Sequence, residues 1–106
     1  MKKKITLFLM GEKGFECLKS IIEAWGADII DRVYTKADLG VLDDYNEKII
    51  SLCYKNDINR FSGSYDNPEI NTELLIAISW KWLIKTDKKL IVLHDSLFPK
   101  YKGIVW

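Results

Sequence analysis

The sequence contains few of the residues that build metal sites and disulfide frameworks. Among its 106 residues there are two cysteines, Cys17 and Cys53, and a single histidine, His94. The cysteines lie far apart in the sequence, form no C-x-x-C pair and have no histidine near them, so neither a zinc site nor a disulfide framework is indicated. We therefore expect a cytoplasmic protein that binds no metal.

The sequence also lacks an excess of charge of either sign. Sixteen lysines and arginines stand against 15 aspartates and glutamates, which gives a formal net charge of +1. A nearly neutral chain has no overall electrostatic attraction to a polyanion. Direct binding of nucleic acid or of an anionic membrane is therefore not expected as its main role.

Long hydrophobic runs are absent. No stretch approaches the roughly 20 apolar residues of a transmembrane helix. Lys2, Lys3 and Lys4 precede an apolar run at 5–10, but Gly11 interrupts that run after six residues. Such a run is too short for the apolar region of a signal peptide, and no small-residue cleavage site follows it. We expect the lysines to form a solvated tail in front of a first strand.

The overall composition is that of an ordinary globular protein. Hydrophobic residues make up 48% of the chain and charged residues 29%, which excludes the disordered and collagen-like classes. No internal repeat or low-complexity segment interrupts it. The length fits one domain that spans residues 1–106.

Apolar runs that alternate with helical patterns predict five strands and two main helices. The predicted elements are strand 1 at 5–10, a glycine turn at 11–14, a helix over 15–25, strand 2 at 29–34, a helix opened by a capping box at 44–47, strand 3 at 58–61, strand 4 at 74–78 and strand 5 at 90–93. Cys53 falls on the buried face of the second helix, where a core thiol is expected. Strands joined by such crossovers form a parallel sheet with right-handed connections.

We therefore expect an α/β fold, a Rossmann-like open parallel sheet with strand order 3-2-1-4-5. In that order the chain reverses between strands 1 and 4 and leaves a crevice at their C-terminal ends. The segments 11–14, 79–82 and 94–96 all fall on that edge. The G-E-K-G of 11–14 matches no nucleotide-binding motif. It is most simply a connector, although backbone N–H groups at a helix start can also receive an anionic part of a substrate.

The stretch 90–103, LIVLHDSLFPKYKG, leads from an apolar strand into the only histidine and a polar cluster. Its H-D-S-L-F-P-K-Y-K-G resembles H-x-S-L-L-P-x-Y-R-G, the signature of the folate-dependent formyltransferases. That family includes methionyl-tRNA, glycinamide-ribonucleotide and sugar-nucleotide N-formyltransferases. The resemblance is close over this stretch, with Phe98 at a Leu position and Lys102 at an Arg position, and loose over the rest of the chain. It implies a domain that is incomplete relative to the family.

The resemblance implies an activity and a set of site residues. The activity is the transfer of a formyl group from formyl-tetrahydrofolate to an amine, carried by an amino-sugar nucleotide or by methionyl-tRNA. His94 is implied as the catalytic residue, since a histidine near its ordinary pKa can move protons or polarise a carbonyl. The implied cofactor-binding residues are Trp80, Trp82, Leu83 and Ile84. The implied substrate-binding residues are Gly11, Ser96 and Tyr101.

Two departures from the family pattern leave the activity open. Val92 stands where the family has an asparagine, and losing a preorganised donor of this kind costs roughly a hundred- to a thousand-fold in rate. The family's catalytic aspartate lies a few tens of residues beyond the signature, whereas the sequence ends at Trp106. The alternatives are an impaired formyltransferase, a non-catalytic folate-binding or oligomerising module, and part of a formyl-folate hydrolase.

The small number of predicted helices has a consequence for packing. Five apolar strands need cover on both faces of their sheet, yet only two convincing helices are predicted. We therefore expect exposed apolar surface, including Ile104, Val105 and Trp106, and self-association into a homo-oligomer.

Overall fold

Five parallel strands form one sheet in the order β3-β2-β1-β4-β5. The computed structural model describes residues 3–38, 40, 43–63 and 68–93. The elements are β1 (Ile5–Leu9), α1 (Gly11–Trp25), a short 3-10 turn (Ala27–Ile29), β2 (Ile30–Thr35), α2 (Asn46–Lys55), β3 (Asn59–Ser62), β4 (Leu74–Ile78) and β5 (Lys89–Leu93). The predicted Rossmann-like α/β fold and its strand order are confirmed. In the described part of the chain, no helix is long and apolar enough to cross a membrane.

The central strand, β1, is the most deeply buried. It pairs in parallel with β2 on one side and with β4 on the other, so Leu7 lies between Val33 and Ile76. Leu7, Phe8 and Leu9 are at most 1% exposed. The continuous apolar run of β1 is thus explained by cover on both faces of the sheet.

The last strand, β5, departs from the sequence-based expectation. An apolar run without alternation predicts cover on both faces, yet β5 is an edge strand of the described sheet, and its Ile91 is 39% exposed. An edge strand has one neighbouring strand instead of two, so fewer side chains are available to cover it.

Both helices pack against the same face of the sheet, which we call the helix face. Leu18 of α1 and Ile49 of α2 are fully buried in one cluster with Leu7 and Leu9. Cys53 belongs to the same cluster, as the sequence predicts for a core thiol. Burial raises the pKa of the Cys53 thiol to about 11, so this thiol stays protonated at neutral pH.

The opposite face, which we call the loop face, is covered by irregular segments. Its buried residues Phe8, Tyr34 and Ala77 pack against Ile70 and against Trp80, which comes from the connection that follows β4. At the middle of the sheet, non-helical segments thus take the place of helices. Some large apolar side chains of the described residues are nevertheless exposed, among them Phe61, Leu83 and Ile91. Ile104, Val105 and Trp106 lie outside the described residues.

An aromatic row crosses the loop face. Phe8, Tyr34 and Phe61 are neighbours in the strand register, and their rings stack at centroid distances of 4.9 Å and 5.4 Å. The Trp80 ring meets Phe8 edge-on at 5.3 Å. The Tyr34 hydroxyl donates a 2.6 Å hydrogen bond to the Glu69 carbonyl, so the row also anchors the segment before β4.

The predicted glycine turn at 11–14 is wrong, because these residues form the first turn of α1. Gly11 has a φ of +72°, and this left-handed conformation turns the chain from β1 directly into the helix. Gly14 lies inside the helix, where an added Cβ would stand 3.1 Å from the Leu9 Cβ. Its role is therefore close packing of α1 on β1 instead of chain reversal.

The start of α2 also differs from the predicted capping box at 44–47. Tyr45 is the N-cap residue and supplies no side-chain cap. One carboxylate oxygen of Asp44 accepts from the Asn46 N–H at 3.0 Å, and the other accepts from the Asp38 N–H at 2.8 Å. Asp44 thus ties the helix start to Asp38, at the other end of the same connection after β2, a contact that the capping-box pattern does not reveal. The bounds of strands 1, 2, 3 and 5 shift by one residue from those predicted.

The packing of the loop face predicts a large cost for truncating Phe8. We expect Phe8→Ala to lower the free energy of unfolding by about 3–5 kcal/mol, because it removes a buried ring beneath Trp80. Trp25→Ala is the matched control, since Trp25 is 69% exposed and should cost less than about 1 kcal/mol. Urea denaturation of the two variants measures the difference. Equal losses would contradict the buried aromatic row.

Candidate functional site

A cleft of about 590 Å³ opens at the C-terminal edge of the sheet. It is lined by residues that follow β1, β2 and β4, namely Met10, Gly11, Glu12, Asp38, Asp43, Asp44, Tyr45, Ser79, Trp80 and Lys81. The strand order reverses between β1 and β4, and ligands of open α/β sheets bind at such a reversal. The volume falls within the roughly 300–1,000 Å³ of small-molecule sites.

Two of the three predicted loops meet at this cleft. Gly11, an implied substrate-binding residue, lines it together with Trp80 and Lys81 of the segment after β4. Ser79 of that segment donates its N–H to the Leu93 carbonyl at 2.8 Å, which joins the ends of β4 and β5. His94, Ser96 and Tyr101 lie outside the described residues, so their placement stays a prediction.

A second, smaller cavity lies on the loop face between β4 and β5. This apolar groove of about 130 Å³ is lined by Ala77, Trp80, Trp82, Leu83, Ile84, Leu90 and Val92. All four implied cofactor-binding residues are therefore brought together in one place. The groove is smaller than a complete ligand site, so it can hold only part of a ligand.

Three of the four implied cofactor-binding residues differ in exposure, which indicates where each of them lies in the groove. Trp80 is 8% exposed and forms a wall shared by the groove and the cleft. Trp82 and Leu83 are 41% and 80% exposed and stand at the rim. The Trp82 ring meets Trp80 edge-on at 5.3 Å and has the Lys36 ammonium 4.3 Å from its centroid. Apolar side chains at a rim are available to contact a ligand that lies over the groove.

The cleft is acidic. Lys81 donates a hydrogen bond to an Asp38 carboxylate oxygen and so connects the loop after β2 with the segment after β4. This bond and the Gly40 N–H hold the pKa of Asp38 below its usual value. The Lys48 ammonium and the Tyr45 N–H similarly lower the pKa of Asp43. Both carboxylates are therefore ionised at neutral pH.

The start of α1 at the cleft is a poor anion site. The Gly11 N–H already donates to the Asp44 carbonyl at 3.3 Å. Glu12 adds a carboxylate in the first helical turn, where it offsets the positive end of the helix dipole. The arrangement disfavours the interpretation in which this helix start receives an anionic part of a substrate.

Unusual backbone conformations collect around the cleft. Tyr45 and Ser79, with φ of 60° and 57°, and Gly11 are three of the residues with positive φ, and all three line it. A left-handed conformation costs a non-glycine residue roughly 1–2 kcal/mol. Strain of this kind concentrates at functional sites.

Ser79 carries a second cost. Its hydroxyl oxygen is buried and has no hydrogen-bond partner within the described part of the chain. Leaving a buried polar group unpaired costs about 1–3 kcal/mol. Ser79 therefore combines a strained backbone and an unpaired hydroxyl in the wall of the cleft.

The cleft acids were not predicted as site residues. Asp38, Asp43 and Asp44 belong to a polar loop without a recognisable motif, and the available signal was only their position after the second strand. Over the residues that the structure covers, no group of three or more His, Cys, Asp or Glu side chains is arranged to hold a metal ion.

Comparisons with protein-family models, with curated proteins and with solved structures found no match.

The unpaired hydroxyl of Ser79 predicts a stabilising substitution. Ser79→Ala should raise the free energy of unfolding by about 1 kcal/mol, because it removes a buried group to which the described residues offer no hydrogen-bond partner. Thr6→Val is the control of opposite sign, since the Thr6 and Thr72 hydroxyls share a buried 2.7 Å hydrogen bond. That variant should lose about 1 kcal/mol. Thermal or urea unfolding measures both, and a destabilised Ser79→Ala would mean that the hydroxyl is satisfied in solution.

Proposed function

We propose that this chain is a formyltransferase-like protein that binds formyl-tetrahydrofolate at the apolar groove and presents the formyl group to an amine at the cleft. The observation that carries the proposal is the position of Trp80. It walls both cavities, so a ligand in the groove and a ligand in the cleft would be separated by a single side chain. A group transfer between two substrates requires such proximity.

The formyltransferase-like signature adds support from the sequence. It begins at His94, one residue after Leu93, and the Leu93 carbonyl is bonded to the N–H of the cleft residue Ser79. In this proposal His94 moves the proton of the attacking amine or polarises the formyl oxygen. The expected phenotype of His94→Ala is loss of transfer with donor binding retained.

Val92, at the family's asparagine position, limits the rate of the proposed formyl transfer. Its side chain lines the apolar groove and packs against the loop-face cluster. There it can contact an apolar ring but cannot donate a hydrogen bond to a developing oxyanion. We therefore propose intact donor binding with slow transfer.

Val92 also supports a second candidate, a non-catalytic folate-binding module. The two candidates agree on the groove and differ only in turnover. Incubation with formyl-tetrahydrofolate and an amine separates them, because only an enzyme yields formylated amine. Release of formate without formylated amine would instead indicate the hydrolase.

Donor binding is tested with folinic acid, a stable formylated tetrahydrofolate. We expect it to bind and to quench tryptophan fluorescence, and we expect Trp82→Ala to weaken binding about tenfold or more through the loss of an aromatic contact worth about 1–3 kcal/mol. Trp25→Ala is the matched control, since Trp25 is an exposed tryptophan at the end of α1. Calorimetry gives the affinities.

Two outcomes would contradict donor binding at the groove. One is the absence of heat and of quenching with millimolar folinic acid. The other is an equal loss of affinity in Trp82→Ala and Trp25→Ala, which would place the ligand elsewhere or indicate a general effect of tryptophan removal.

A further inference from the structure

We propose that the open edge of β3 pairs with the β3 edge of a second copy of this chain, in antiparallel orientation and with Phe61 opposite Phe61. The inference does not depend on formyl transfer, because no residue of β3 lines the groove or the cleft. It gives the homo-oligomer that the sequence predicts a defined surface.

The first observation is the direction of the backbone groups of β3. This strand has a neighbouring strand, β2, on one side only. The Gly63 N–H donates to the Thr35 carbonyl at the end of β2. Because the backbone groups of successive residues point alternately to the two sides of a strand, those of Phe61 also point to β2, and those of Arg60 and Ser62 point to the open edge. No described residue bonds these outward groups, so another strand can pair with them.

The second observation is the position of the Arg60 side chain. Charged side chains commonly protect the edge strands of proteins from pairing. Here the Arg60 guanidinium lies 5.0 Å from the centroid of the Tyr54 ring on α2 and donates to the Ile58 carbonyl at 3.1 Å. Both contacts direct the charge toward α2 and toward the residue before the strand. The Arg60 guanidinium therefore does not occupy the outward backbone groups of Arg60 and Ser62.

The third observation is the exposed end of the aromatic row. Phe8 and Tyr34 are 1% and 3% exposed, whereas Phe61 is 39% exposed. The Phe61 ring stacks on Tyr34, and the Arg32 guanidinium lies 5.3 Å from its centroid. Both contacts come from β2, and no described strand lies on the other side of β3. An aromatic side chain on a strand added at this edge would continue the row.

The sequence of β3 favours a second copy as the occupant, because the strand is complementary to itself in one register. With Phe61 opposite Phe61, Arg60 of each copy lies opposite Ser62 of the other. The outward backbone groups then face each other and form two hydrogen-bonded pairs, with Phe61 as the closely spaced pair between them. A two-fold axis normal to the sheet keeps both Phe61 rings on the loop face.

The charge of Arg60 excludes the neighbouring register with the same hydrogen-bonding pattern. A shift by two residues would place Arg60 opposite Arg60, and like charges directly opposite each other destabilise a strand pair. A shift by one residue would set outward groups against inward ones, so their hydrogen bonds would be lost. The register centred on Phe61 avoids both costs.

The size of this contact predicts a weak dimer. β3 has only four residues, so the contact is smaller than a standard stable interface. We expect a monomer at micromolar concentration and a growing fraction of dimer toward millimolar concentration. Sedimentation velocity on the full chain measures this fraction. A protein that stays monomeric up to millimolar concentration would overturn the inference, and the edge would then be left to a different partner.

Hydrogen exchange detected by NMR locates the contact. In dilute samples the Arg60 and Ser62 N–H groups should exchange rapidly, and in concentrated samples both should slow at least twofold. The Phe61 N–H, which points to β2, is the internal control and should not change. Slow exchange of Arg60 and Ser62 in dilute samples would overturn the inference, since the chain itself would then cover the edge.

A first pair of variants tests the aromatic contact. Phe61→Ala should weaken the dimer about tenfold, because it removes the side chain at the centre of the strand pair. Trp25→Ala is the matched control, since Trp25 is an exposed aromatic residue at the end of α1 and should leave the dimer unchanged. Equal losses in the two variants would mean that the copies associate through another surface.

A second pair of variants tests the register. Ser62→Glu should tighten the dimer several-fold, because the new carboxylate lies opposite Arg60 of the second copy, and Ser62→Lys should weaken it several-fold. Both variants lose the same 3.4 Å contact with Asn46, so their difference reports the charge alone. Urea denaturation checks that both remain folded. Equal effects on the dimer, or effects of the opposite sign, would overturn the register.

Discussion

The edge-on contact between the Phe8 and Trp80 rings is the interaction on which the rest of the structure depends. A parallel sheet must be covered on both faces, and here both helices lie on one face. The other face is covered by connecting segments, and Trp80 supplies the largest ring of that cover over the central strand. Without it Phe8 would face water, at a cost of about 2 kcal/mol or more.

This contact determines how the chain leaves β4. Trp80 is only two residues beyond the end of the strand, so the chain has to turn sharply at Ser79 to bring the ring over Phe8. The left-handed backbone of Ser79 is the result. The same turn directs the Ser79 N–H to the Leu93 carbonyl and leaves the Ser79 hydroxyl buried without a partner in the described residues. The turn at Ser79 thus both places Trp80 over the sheet and shapes the wall of the cleft.

The sequence predicted the sheet because each buried strand is a short apolar run bounded by glycine or polar residues. Strand 4 was predicted with its observed bounds, Leu74–Ile78, and the order of all five strands followed from the crossover rules. The sequence did not predict the cover of the loop face, since irregular segments carry no periodicity. It also misplaced the start of both helices, because Gly11 acts through a left-handed backbone conformation and Asp44 through a hydrogen bond to Asp38 that the capping-box pattern does not include.

The residues that line the groove were easier to predict from the sequence than the acids that line the cleft. The groove residues are mostly large apolar side chains beside a strand, and the resemblance to the formyltransferases implied four of them as cofactor-binding residues. Three of the four cleft acids lie in the loop after β2, and a net charge of +1 for the whole chain conceals their local excess. Net charge bears on long-range attraction to polyanions, whereas a ligand within a few ångströms responds to the nearest ionised groups. An almost neutral protein can therefore contain a cleft with a local excess of carboxylates, and Trp80 lines both this cleft and the apolar groove.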